Sequence, residues 1–464
     1  MAPPSSQSAV RVLDRIRVSP APAPPDSAQE LDFFDVAWLF TGPVERLFFF
    51  RHPDPASTLP RLLSSLAVAL RRFYPLAGTI RPRAPFVCSY AHGADALTFV
   101  VAESGSPDDF DRLVARSPRD LAGIRPLVPQ PPPPGDDGAF AAAAVQATVF
   151  PGRGLCLGVS VHHAACDDAS TTHFVRTWAA ACRLGLACDA GSGSDDAALP
   201  PPPVLDRSLV ADPDDLRGKT LAGMARLAPP PSPPPPPPQQ QQEEEKAPTV
   251  MMASFLLPRH QIDRIKEAAA ARSDAKAPSS FVAASALAWV CLLKSGSTGV
   301  PGAQRCHMLF SAECRHRLAP PLPAEYFGNC LRPCFVEAAA ADLLSGDMAD
   351  GVAAAASAIG SAIREMERGV LEGAEGWLGR VLSVLPERPM SVGGSPRHGV
   401  YEATDFGWGL PERVEMVSVE KTPGTVALAD SPEGDGGIEL GVVLPPDAME
   451  AFASCFADAL GATV

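Results

Sequence analysis

A chain of 464 residues, 46% of them hydrophobic, has the length for roughly two to four domains with real cores. Its 39 basic and 53 acidic side chains leave a formal charge of −14, which argues against nucleic acid or an anionic membrane as a partner. No apolar run approaches the roughly 18 residues of a membrane span, and the opening Met-Ala-Pro-Pro-Ser-Ser-Gln lacks a secretory signature.

Residues 11–18 alternate like a first strand, and Leu31 to Phe40 is dense in aromatics. Leu59, Leu62, Leu63, Leu66 and Leu70 form the stripe of an amphipathic helix, which Pro75 and Gly78 stop. Short strands are expected at 79–82, 86–90, 97–102 and 143–150, and Pro151-Gly-Arg-Gly154 turns the chain into the next one. There Leu155, Leu157, Val159 and Val161 share one parity, the buried face of a strand. His163 continues that parity and His162 does not. Asp167-Asp168-Ala-Ser-Thr-Thr then reads as a helix start, with Phe174, Trp178 and Cys182 recurring at helical spacing. A rigid strand end holding an imidazole, with a capped helix just beyond, suits a general base, because imidazole titrates near neutrality. Taken alone, such a stretch more often means a hydrogen-bonded structural histidine and a capping aspartate.

Pro131 to Gly138 reads as a proline-rich surface loop, and residues 189–248, with six consecutive prolines at 233–238, as a linker in which 204–227 is the place for a short ordered element. Beyond it, strands are expected at 250–257 and 306–312, and helices at 260–272, after Ser279-Ser280, over about 338–370 and from Asp447. Residues 414–420, 425–430 and 438–444 look like antiparallel strands joined by tight turns. Both halves mix strands and helices, so the fold class is α/β, with mixed-sheet domains at 1–188 and 249–464. The 11 cysteines lack zinc-like spacing, so neither a metal site nor a disulfide framework is expected, and the whole reads as soluble and cytoplasmic.

A second signal lies far downstream: Asp405-Phe-Gly-Trp-Gly409, preceded by Gly394-Ser-Pro-Arg397. Alone, a Trp between glycines is a packing residue in a turn or an indole donor held close to something. Joined to His163-Ala-Ala-Cys-Asp167, it makes the chain resemble the BAHD acyltransferases of plants, and Tyr326-Phe-Gly-Asn-Cys330 after Cys314-Arg-His-Arg317 is similar to the branch that includes anthocyanin and phenolic-glucoside malonyltransferases. The sequence departs from that pattern at Asp168, where many members have Gly.

The resemblance implies two similar-sized, chloramphenicol acetyltransferase-like domains with a channel between them and His163 at its centre. It implies acyl transfer from a coenzyme A thioester, malonyl or hydroxycinnamoyl, to a glycoside hydroxyl, within a monomer that holds no permanent cofactor. His163 would be the base, and Asp167 would orient local structure, pointing away from the channel and pairing with an arginine. Trp408 would donate to the oxyanion or pack its loop. Asp405, Gly407 and Gly409 would be structural, as would Asn329, and Arg315 or Arg317 would pair with Asp405. Coenzyme A phosphates would meet Lys276, Ser279 and Ser280, or Ser395 and Arg397, and a malonyl carboxylate would meet Arg176 or His173. A catalytically silent relative is the reading from another class. A serine hydrolase is disfavoured, since no Gly-x-Ser-x-Gly occurs.

Overall fold

The computed structural model describes residues 10–51, 55–186, 195–227, 249–272, 277–344 and 346–461; Lys276 and the proline run at 233–238 lie outside them. Where local signals are strongest, the expected elements form nearly at their expected bounds. The leucine stripe is the helix Pro55–Arg72, and the Phe150–Gly154 turn joins two antiparallel strands, Ala143–Phe150 and Gly154–His162.

One mixed sheet of six strands runs in the order Val10–Val18, Leu97–Ser104, Ala143–Phe150, Gly154–His162, Pro43–Phe50, Arg413–Met416. A second, of seven, runs Leu331–Ala339, Arg305–Glu313, Met390–Gly393, Thr425–Asp430, Ile438–Leu444, Met251–Leu257, Arg119–Asp120. The two halves therefore exchange strands. Arg413–Met416 pairs with residues 46–49 of the first sheet, and Arg119–Asp120 pairs with Met251 and Met252 of the second. This corrects both the clean division at 189–248 and the expected three-stranded meander. After Met416 the chain passes through a 3₁₀ segment, Val417–Lys421, so Arg413–Met416 never meets Thr425–Asp430.

Buried ion pairs lock the exchange. Arg119 Nη2 donates to Glu415 Oε1 at 2.6 Å, Ser254 Oγ donates to the same oxygen at 2.9 Å, and Arg413 pairs with Glu439. Arg119, Arg413, Glu415 and Glu439 are each no more than 4% exposed. An uncompensated charge there would be costly, so each exchanged strand needs its partner from the other half.

The first sheet is covered by Pro55–Arg72 and Asp168–Arg183, which are fastened together where Trp178 Nε1 donates to the Leu62 carbonyl at 3.2 Å. The second sheet is covered by Ser280–Lys294, Met348–Glu365 and Pro446–Gly461. All nine residues of Gly154–His162 are buried, so the strand has two covered faces rather than the single one its alternation suggests. The opposite face packs Cys156 with Leu47, Phe49 and Phe110. The expected linker is also partly structured. Val210 and Leu216, near the helix Leu216–Leu227, pack with Phe33, Phe34 and Tyr326, because apolar side chains among prolines still find a core. No helix of the described residues is long and apolar enough to cross a membrane.

Candidate active site

The histidine strand ends at His162, and the His163 amide donates to the Gly42 carbonyl at 3.3 Å. The His163 ring stacks on Trp38, with centroids 3.8 Å apart and planes 8° from parallel. Its Nδ1 lies 3.2 Å from Asn329 Oδ1. The Asn329 amide is oriented by two acceptors: Nδ2 donates to the His163 carbonyl at 2.8 Å and to Asp35 Oδ1 at 2.9 Å. The oxygen therefore faces His163, Nδ1 carries the proton, and Nε2 keeps its lone pair. Burial pushes the imidazole pKa below its ordinary 6.5, against the opposing pull of Asp167, Asp168 and Asn329, so the neutral base is the resting form.

Asp35 is held in turn by Arg207, whose Nε donates to Oδ2 at 2.6 Å and whose Nη2 donates to the Ala165 carbonyl at 2.7 Å. Tyr326 Oη donates to Asp32 Oδ2 at 2.8 Å, and Asp32 caps the short helix that carries Asp35. Burial and the neighbouring Asp35 push the Asp32 carboxyl up to about 8. Trp38, Asp35 and Arg207 escape sequence reasoning. The aromatic density of 31–40 marks packing there, but nothing local says that Arg207, inside a proline-rich stretch, reaches a buried carboxylate.

Asp167 caps Asp168–Arg183, accepting from the Ser170 amide at 3.0 Å. Arg315 grips it with two donors, Nη1 to Oδ2 at 2.8 Å and Nη2 to Oδ1 at 3.0 Å. Burial opposes ionisation of Asp167, but Arg315 and Ser170 outweigh it and hold the carboxyl below its ordinary value. Arg315 thus belongs to Asp167 and not to Asp405. Asp168 forms a further junction, with Arg46 at 2.9 Å and His398 Nδ1 at 2.7 Å. Burial opposes its charge too, and Arg46 and His398 override that. Cys166, 1% exposed, has its thiol raised by burial and offers no thiolate.

Asp405 instead fastens its own turn, accepting from the Gly407 and Gly409 amides at 2.8 and 3.0 Å. Those glycines stand at φ +103° and +101°, where a Cβ would be strained. Trp408 stacks near Phe406 (5.6 Å) and meets Phe50 edge-on (6.0 Å). Phe50 lies opposite Leu155, at the far end of the strand from His163. Eight residues at about 3.3 Å each separate them by about 26 Å. Trp408 cannot reach an oxyanion at His163; it packs the loop.

The other expected contacts do not converge on the imidazole. His173 Nε2 meets the Pro201 carbonyl at 2.8 Å with its ring against Phe73, and Arg176 Nη2 donates to the His398 carbonyl at 3.2 Å. Ser279 caps its helix through the Val282 amide, with Ser280 as the first helical residue. Ser395 accepts from the Arg397 amide in a turn whose next residue, His398, is the one bound to Asp168, and Arg397 is exposed. A cation that sequence reasoning overlooked, Lys421, donates to the Pro43 carbonyl opposite His162 and pairs with Glu45 at 2.8 Å.

The transferase family matches residues 8–459. A malonyl-coenzyme:anthocyanin 5-O-glucoside-6'''-O-malonyltransferase of Salvia splendens is 33% identical, covering 96% of this chain and 94% of the relative. The chain is a BAHD acyltransferase. Among other relatives of this BAHD enzyme, coumaroyl-CoA:anthocyanidin 3-O-glucoside-6''-O-coumaroyltransferase 2 of Arabidopsis thaliana is 32% identical, covering 91% of each chain. The fold matches vinorine synthase with a TM-score of 0.68 at 20% identity, over 96% of this chain and 98% of that one.

Proposed function

We propose that this BAHD acyltransferase moves a malonyl group from malonyl-coenzyme A to a sugar hydroxyl of a flavonoid, anthocyanin or other phenolic glucoside, with His163 as general base. The observation that carries the reading is the Asn329-fixed tautomer, which leaves Nε2 ready to accept a proton. The acceptor oxygen loses its proton to Nε2 as it bonds to the thioester carbonyl carbon. The tetrahedral adduct then collapses, the carbon–sulfur bond breaks, and the imidazolium returns the proton to the leaving thiolate. No covalent enzyme intermediate is needed, in keeping with the buried, protonated Cys166.

Several features support the finer points. The Salvia splendens relative and phenolic glucoside malonyltransferase 1 of Arabidopsis thaliana carry malonyl donors in their names. Lys421, at the His163 end of the strand, would meet a malonyl carboxylate by leaving its Glu45 pair, and Arg176 and His173, held by the His398 and Pro201 carbonyls, are the other cations for it. The exposed Arg397 in the turn capped by Ser395 and the helix N-terminus capped by Ser279 are both places for coenzyme A phosphates. A hydroxycinnamoyl donor is the second reading, favoured by the coumaroyltransferase relative and by Trp38 and Phe40, the latter 68% exposed.

The test is a panel of malonyl-CoA and coumaroyl-CoA against flavonoid and phenolic glucosides, scored by product mass, with His163→Ala and Lys421→Met alongside. A malonylated product that His163→Ala abolishes and Lys421→Met weakens supports the proposal. Coumaroylation alone keeps the base and replaces the donor. A folded enzyme that acylates nothing removes the reading.

A further inference from the structure

At the edge of the second sheet, the strand Leu331–Ala339 and residues between 362 and 380 enclose a cavity of about 140 Å³. None of its lining residues touches His163. Arg332 lines it and is only 9% exposed. Its Nη1 donates to the Gly369 carbonyl at 2.8 Å, whereas its Nε is buried with no hydrogen-bond partner among the described residues. No described carboxylate forms an ion pair with this guanidinium. A guanidinium this buried, with no described carboxylate at ion-pair distance, gains from an anion brought into contact. A carboxylate oxygen makes a charge-assisted hydrogen bond to whichever guanidinium nitrogen stays accessible. The Gly369 carbonyl takes Nη1 and Nε is sealed from the cavity, which leaves Nη2 as the donor for a carboxylate.

The rest of the lining narrows the ligand. Trp377 presents its ring 6.0 Å from the Arg332 guanidinium carbon, and Phe335 lies 4.2 Å beneath that of Arg380. Arg380 covers that face of Phe335, which leaves Trp377 as the wall for a flat apolar body. Glu365 and Glu372, both exposed, also line the cavity together with Arg332 and Arg380, a balance that favours a singly charged ligand over a polyphosphate. The volume is close to the roughly 150 Å³ that accommodates one benzene ring.

We propose that this cavity binds a small aromatic monocarboxylate, its carboxylate on Arg332 and its ring against Trp377. The inference stands apart from the acyl-transfer reading and is tested without acyl donor or acceptor. Titrate the full chain with 4-fluorobenzoate by ¹⁹F NMR, with the neutral 4-fluorobenzyl alcohol as control. Binding is expected at millimolar concentration or tighter, at least about tenfold stronger than for the alcohol, and weakened at least about tenfold by Arg332→Gln. Gly376→Val is a second variant that fills the cavity without touching Arg332. No atom lies within 4 Å of the Cβ it would gain, and its backbone is right-handed, so it should fold and still lose the ligand. Equal binding of acid and alcohol, unchanged binding in Gly376→Val, or no binding by about 10 mM overturns the proposal.

Discussion

At the residue scale, Asn329 sets which nitrogen of His163 carries the proton, while burial keeps the ring neutral. The amide that fixes the imidazole tautomer is itself fixed by Asp35, and Asp35 by Arg207. Replacing Asn329 with Ala should therefore lower kcat about 100-fold while leaving KM nearly unchanged, since a misplaced base weakens proton transfer rather than binding. Steady-state kinetics separate the two. Its pH profile should move as well. In the parent enzyme the base is active when unprotonated, and burial lowers its pKa, so kcat/KM should be flat from about pH 6.5 upward and fall tenfold per unit only below the depressed pKa. An acidic limb centred above pH 7 would contradict a buried, neutral His163. Trp408→Phe should keep kcat within about twofold, because the indole sits at the wrong end of the strand; a loss near the roughly 100-fold typical of an oxyanion donor would restore that role.

At the element scale, the helix Asp168–Arg183 is anchored at its first turn by Arg315 and joined to the second half through Asp168 and His398. Removing one partner of the buried Asp167–Arg315 pair should cost about 3–5 kcal/mol, read as a lower midpoint for Asp167→Asn in denaturant. The sign with pH follows from the lowered carboxyl pKa. The ionised pair stabilises fully above the ordinary value of 3.8 and is lost as pH falls through the lower folded value, so parent and variant should converge in acid. Much of this element was legible in the sequence. The alternation of 155–161, the Asp167 cap and the Phe174–Trp178 spacing are local signals, and local periodicity finds elements well. The partners were not legible. The motifs offer Arg315 or Arg317 to Asp405, yet Arg315 pairs with Asp167 across 148 positions, a choice set by tertiary packing that short-range patterns do not carry. For the same reason the strand at Arg413–Met416 was foreseen, but not the sheet it joins.

At the scale of the whole molecule, the exchanged strands make the halves one cooperative unit. Calorimetry should give a single unfolding transition, and Glu415→Ala, which strands the buried Arg119, should lower stability by about 3–5 kcal/mol without splitting that transition. Two separate transitions would mean that the junction is incidental. Composition and motifs gave the fold class and the approximate position of two halves; the apolar residues that draw 204–227 into a core, and the strands that cross between halves, come only with the three-dimensional arrangement.

The exchanged strand also sets a timetable for synthesis. While a ribosome extends the chain, the edge of Pro43–Phe50 must wait for Arg413–Met416, which emerges roughly 360 residues later. At about 5–20 residues per second, that is roughly 20–70 seconds in which a row of amides beside Phe48, Phe49 and Phe50 lies open to the wrong neighbour. Nascent-chain handling by chaperones, more than the stability of the finished fold, would then limit how much enzyme a cell can make.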